Sequence, residues 1–259
     1  MLKKPLGVLG IFMIVVGIGY FVGAGVAYVK VQDGYGSLQD FSEAQNVTLN
    51  YNDDGELVDR GTVEGAEAIM SLLEDDWGFP VVESDLDPDD PLVNSATEYM
   101  YQMATIAYHT LHGTQTVVLT AEDLTDGDGV IATEFTCNSE TVAVPASFPA
   151  EGLTCDFEVN GRYWTDFNRL DPVEGPARDQ AWSGTAHALV AELGVGASTH
   201  STLQLALGVA ALLAGLGVVC SVMGVAFILH TRSGLSAQAA AGGSPSAMDD
   251  VSGSVAEPV

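Results

Sequence analysis

His109 and His112 stand three residues apart, so on a helix they share a face and form a candidate metal pair. A non-haem iron centre needs two histidines and a carboxylate with open positions. Glu98 lies about three turns upstream at ~3.6 residues per turn and cannot join from the same turn. His187 is the remaining metal candidate, and it could complete a site only through tertiary packing. The competing role is structural. His112 beside Gly113 falls in a last helical turn, where an imidazole complements the helix dipole, and His109 is set among aromatics.

The segment Leu124-Thr-Asp-Gly-Asp-Gly129 imitates part of a calcium loop, making Asp123, Asp126 and Asp128 candidate cation ligands. It departs from that motif at both ends: Leu124 stands where the first carboxylate is needed, and Phe135 where a bidentate Glu is needed. A turn between strands explains the same residues. Asp85, Asp87, Asp89 and Asp90 have the same two readings, loose cation binding or a solvated helix entry, and the second is favoured. No Gly-x-Ser-x-Gly elbow and no phosphate-cradling glycine loop occurs, so no catalytic residue and no cofactor is implied. Arg162, Arg169 and Arg178 are rare cations among many acids, and pairing with carboxylates is favoured over an anion site.

The elements that position these groups follow from how charge is distributed. The 259 residues carry a net charge of -27, yet 47% are hydrophobic and the mean hydropathy is +0.23. Both can hold only if acid and grease occupy different segments. Pro5 to Val29 is free of charge, and as a helix it reaches about 37 Å against a hydrocarbon core of ~30 Å. A second uncharged stretch runs from Leu203 to Leu229. These predict transmembrane helices over 5–29 and 203–229. Lys3 and Lys4 before the first and Arg232 after the second place both termini in the cytoplasm, as a multi-pass protein of the plasma membrane. A cleaved signal peptide is the rival, but its apolar region would far exceed the ~7–15 residues of such signals.

The partition assigns 1–4 to a cytoplasmic N-terminus, 30–200 to an acidic extracytoplasmic domain and 230–259 to a disordered cytoplasmic tail rich in Ala, Gly and Ser. Residues 31–200 hold four Arg, no Lys and 32 acids, a net charge of -28. Nucleic acid is excluded as a partner, because phosphate binding needs clustered basic residues. Cys137 and Cys155 lie in the exported part, where thiols oxidise, and a disulfide between them is expected. Neither belongs to a CxxC and no His lies between them, so zinc spacing is absent. Cys220 is mid-span and reads as a small apolar residue.

Within the domain the pattern predicts an α+β fold: a polar turn at Gly34-Tyr-Gly36, a hairpin about Asn52–Gly55, and a short acidic helix over 63–75. A core helix follows, capped either at Asp90-Pro91 or by the Ser95-x-x-Glu98 box and stopped at Gly113. Strands are expected over 114–119, 130–135, 141–144 and 153–159, and a last helix over 176–193. Gly19-x-x-x-Gly23 and Ala211-x-x-x-Gly215 are small-residue faces that could pack the two spans together or on a membrane-protein partner, the lipid bilayer being the surrounding partner.

Lys4-Pro-Leu-Gly-Val, Tyr99-Met-Tyr-Gln-Met-Ala-Thr-Ile-Ala-Tyr-His-Thr-Leu-His-Gly-Thr114, Arg162-Tyr-Trp-Thr-Asp-Phe and Glu174-Gly-Pro-Ala-Arg-Asp-Gln-Ala-Trp-Ser-Gly-Thr-Ala-His187 resemble a family of two-span membrane proteins from actinobacteria. Its members are sometimes labelled aromatic ring-opening dioxygenases. The resemblance implies the two-span topology and brings no catalytic motif. The expected function is a non-enzymatic envelope interaction or assembly module. The alternative is an extracytoplasmic metal-dependent enzyme using His109 and His112.

Overall fold

The computed structural model describes residues 3 to 241, with side chains from 5 to 232. It is a mixed helix and sheet structure with a long apolar helix towards each end of the described residues: α1 over Lys3–Gln45 and α5 over Gly184–Ala241. Both are long and apolar enough to cross a membrane. The chain divides into two compact units, Met1–Gln32 with Leu205–Val259, and Asp33–Gln204.

In the first unit the two helices meet along a seam of small residues repeated every seven positions. Gly10, Gly17, Ala24 and Val31 on α1 are buried, as are Ala210, Gly217, Gly224 and Thr231 on α5. A Cβ built on Gly224 would stand 2.6 Å from the Gly10 carbonyl oxygen, and one on Gly17 would stand 2.9 Å from that of Gly217. Only hydrogen fits. Seven residues are two turns of an undertwisted helix, so the repeat keeps one face against its partner. The predicted Gly19–Gly23 and Ala211–Gly215 faces are not this seam. A Cβ at Gly19 or Gly215 meets nothing within 4 Å, and Ala211 is exposed.

The second unit is built round α3, Ala96–Leu111. Of the two possible starts, Ser95 is the cap: its hydroxyl accepts from the Glu98 N–H, and Glu98 Oε2 accepts from the N–H groups of Ser95 and Asn94 at 2.8 and 3.0 Å. The hairpin is present as Tyr51 bridged to Leu57 round the Asn52–Gly55 turn, with Gly55 at φ +80°. Helix α2, Val63–Ser71, is capped by Thr62 and runs into a π-helical turn over Leu72–Asp76. Strand β1, Thr114–Leu119, pairs antiparallel with β4, Leu153–Glu158; β2, Glu134–Cys137, pairs with β3, Glu140–Ala143. The Cys137–Cys155 disulfide, with Cα atoms 5.9 Å apart, ties β2 to β4. The C-terminal part of α3 contributes Ala107 and Leu111 to a core with Val117, Phe157 and Trp182; the N-terminal part contributes Tyr99, Tyr101 and Ala104 to a core with Ile69, Leu73 and Leu193.

Three expected boundaries are corrected. The polar turn at Gly34-Tyr-Gly36 is helical, because Gly34 lets α1 lie against Leu203 and packing overrides glycine's poor helix propensity. The single helix over 176–193 is two. Helix α4, Glu174–Ala181, ends at Trp182, and Ser183 starts α5 by accepting from the Ala186 N–H. The tail expected to be disordered over 230–259 is helical as far as Ala241, in an Ala-rich run that favours helix. Residues 242–259 lie outside the described residues.

Candidate functional site

Each of the three candidate metal ligands makes a hydrogen-bond contact of its own. His109, on α3, has Nε2 2.9 Å from Oδ1 of Asp59, which arrives from the loop after the hairpin. His112 lies past the end of α3 as its C-cap, folds back with Nδ1 2.8 Å from the Tyr108 carbonyl oxygen, and stacks on the Tyr108 ring at 4.2 Å. His187 has Nδ1 3.1 Å from the Ser183 carbonyl oxygen and meets Trp164 edge-on at 4.9 Å. Among the described residues, no group of three His, Cys, Asp or Glu gathers to hold a metal ion.

The acidic loop is occupied with its own turns. Thr120 donates through its N–H and hydroxyl to Asp123, which holds that carboxyl below its ordinary value. Asp126 Oδ1 accepts from the N–H groups of Asp128 and Val130, closing an Asx turn that ends at Gly129 with φ +80°. Asp87 does the same for Asp89.

Two arginines pair with carboxylates and aromatic faces. Arg162 donates to Glu174 Oε1 at 2.9 Å, with its guanidinium 4.5 Å from the Phe157 ring centre. Arg178 donates to Asp179 Oδ1 at 2.7 Å and lies 3.8 Å over Trp164. These clamps join the strands, the loop after them and α4.

Two features went unread in the sequence because their partners are distant in the chain. The first is an apolar concavity of about 210 Å³, walled by Phe41 and Ser42 of α1, Ile106 of α3 and Leu189 and Leu193 of α5. At its polar edge the hydroxyls of Ser42 and Tyr99 lie 2.7 Å apart, and Gln45 donates to Glu192 Oε1 at 3.1 Å. The Tyr99 ring packs so closely on α5 that a Cβ at Gly196 would lie 2.6 Å from it. Apolar walls with a few converging polar groups are what a ligand or partner side chain requires. The second is a line of buried polar groups along α3 and the hairpin. Burial, with the nearby Glu98 and Asp87 carboxylates, pushes the Tyr51 phenol up to about 12. Burial and the charge of Asp59 likewise push the Tyr101 phenol up. Glu98, only 2% exposed, is raised by burial against the pull of its three hydrogen bonds.

No family model matches the chain, and neither a curated protein nor a solved structure matches it.

Proposed function

We propose that this chain is a two-span protein of the plasma membrane with both termini in the cytoplasm, and that its acidic disulfide-tied domain works outside the membrane as a non-enzymatic interaction or assembly module. The observation that supports it best is a contrast within the acidic unit. The imidazoles of the enzyme alternative are each engaged by a separate neighbour, whereas the concavity between Phe41, Ile106 and Leu189 presents apolar side chains with only Glu192 as a lining charge. Apolar concavities bind, and rates need positioned acids, bases or nucleophiles. A disulfide between Cys137 and Cys155 fits an oxidising compartment. Two apolar helices suit a lipid bilayer.

The test is photo-crosslinking from within the concavity. A photoreactive phenylalanine analogue at Phe41 or Leu189, activated in native membranes, should capture one discrete protein or lipid adduct. The same analogue at Leu170, which is 94% exposed on a turn away from those lining residues, should capture none. Equal labelling at all three positions, or a stoichiometric transition metal in protein purified without chelator, would overturn the proposal.

A further inference from the structure

The concavity walled by α1, α3 and α5 has a size and a charge setting that select its occupant. Its volume of about 210 Å³ exceeds the ~150 Å³ of a dry cavity that accommodates benzene, so one leucine or aromatic side chain fits. The floor asks for no hydrogen bond, because the buried hydroxyls of Ser42 and Tyr99 satisfy each other at 2.7 Å. The rim is apolar and open, with Phe41 43% and Leu189 41% exposed. An apolar anchor seated in such a pocket is how a few residues come to dominate a protein interface.

Glu192 is the one charged residue lining it. Gln45 donates to Oε1 of Glu192 at 3.1 Å, which ties that carboxylate to α1, while Oε2 accepts from no described residue. A carboxylate has about four lone-pair directions, so this exposed group has capacity for a donor from outside. The segments that wall the concavity, 33–45, 93–106 and 184–204, expose four acids, Asp33, Asp40, Glu43 and Glu192, and contain no Lys or Arg. Anionic lipid headgroups and a second copy of this chain would each set like charge against those acids. A basic partner meets complementary charge instead, and at a rim such complementarity steers encounter and fixes register.

We propose that the concavity seats one leucine or aromatic side chain of a partner protein, presented beside a lysine or arginine that pairs with Glu192, an inference that rests on the interaction-module reading and adds the chemistry of the partner.

The photoreactive phenylalanine analogue at Phe41 supplies the test, with the captured segment sequenced by mass spectrometry after activation in native membranes. That segment should hold an apolar residue with a lysine or arginine within one helical turn, about four residues. Glu192→Lys should lower capture severalfold, and changing that single partner cation to glutamate should restore it. General attraction to an acidic surface gives no such rescue. Asp126→Lys, on the loop between strands, should leave capture unchanged. A lipid adduct, a segment from a second copy of this chain, a segment without a cation, capture indifferent to Glu192→Lys, or a charge exchange that restores nothing would each overturn the inference and leave the module reading standing. So would a loss at Asp126→Lys equal to that at Glu192→Lys. Labelling no stronger at Phe41 than at Leu170 would overturn both.

Discussion

Leucine at Gly224 should drive the two apolar helices apart, whereas leucine at Gly19 should not. A Cβ at Gly224 would lie 2.6 Å from the Gly10 carbonyl oxygen, 2.7 Å from Ile14 Cγ1 and 3.0 Å from the Ile14 nitrogen. Two of those three atoms are backbone and cannot rotate aside. Restoring an ordinary contact near 3.4 Å means opening the seam locally by about 0.8 Å, before the rest of the leucine is housed. Overpacking of this kind costs about 1–3 kcal/mol, with the dispersion contacts along the seam lost in addition. At Gly19 a Cβ has nothing within 4 Å, so leucine there only replaces solvent or lipid contact. The assay is oxidative crosslinking of a cysteine pair placed across the seam in membranes, reading yield against time for wild type, Gly224→Leu and Gly19→Leu. Yield should fall severalfold for Gly224→Leu alone. Equal yields in the two variants, or a fall at Gly19→Leu, would refute the seam.

Other consequences concern the acidic unit. Reducing the Cys137–Cys155 bond, or replacing both residues by serine, should lower stability by about 3 kcal/mol for its 18-residue separation, seen as a lower denaturant midpoint. Glu98 has a folded pKa above its unfolded one, so the folded state holds its proton more tightly. Its contribution is favourable below the ordinary carboxylate range and is lost as pH rises through the folded value. Glu98→Gln keeps an acceptor for the Ser95 and Asn94 N–H groups and should flatten the pH dependence of Tm across that window. Glu98→Ala should cost about 1–2 kcal/mol below that window, because the cap itself is lost, and less above it. Arg178→Lys should destabilise by about 1 kcal/mol despite retaining charge, since the planar face over Trp164 is lost, and near-UV dichroism of the tryptophans should report it.

How far the sequence revealed this structure depended on the range of each signal. The Ser95–Glu98 capping box, the Asn52–Gly55 turn and strand β1 are local, so periodicity and turn chemistry were enough to find them. The disulfide was legible because only Cys137 and Cys155 lay in the region expected to be exported. The helical seam left a signal that a four-residue search passes over. Gly10, Gly17 and Ala24, like Ala210, Gly217 and Gly224, repeat every seven residues, the period of two helices that coil about each other. Glycine at 34 and 36 argued for a turn, and only the fit against Leu203 explains why α1 continues. His109 looked like half of a metal pair because spacing shows which residues share a face. Asp59, its actual partner, lies fifty residues upstream and left no mark near it. The concavity round Ser42 and Tyr99 is illegible for the same reason, being assembled from separate segments by tertiary packing.

The proposed export of the acidic domain is tested most directly by adding a glutamate-specific protease to intact spheroplasts and to permeabilised ones. With its many acids in residues 31–200, the domain should be cut in intact spheroplasts, leaving protected fragments that hold the two apolar helices. Full-length protein surviving in intact spheroplasts and cleaved only after permeabilisation would place that domain inside the cell and contradict the proposal.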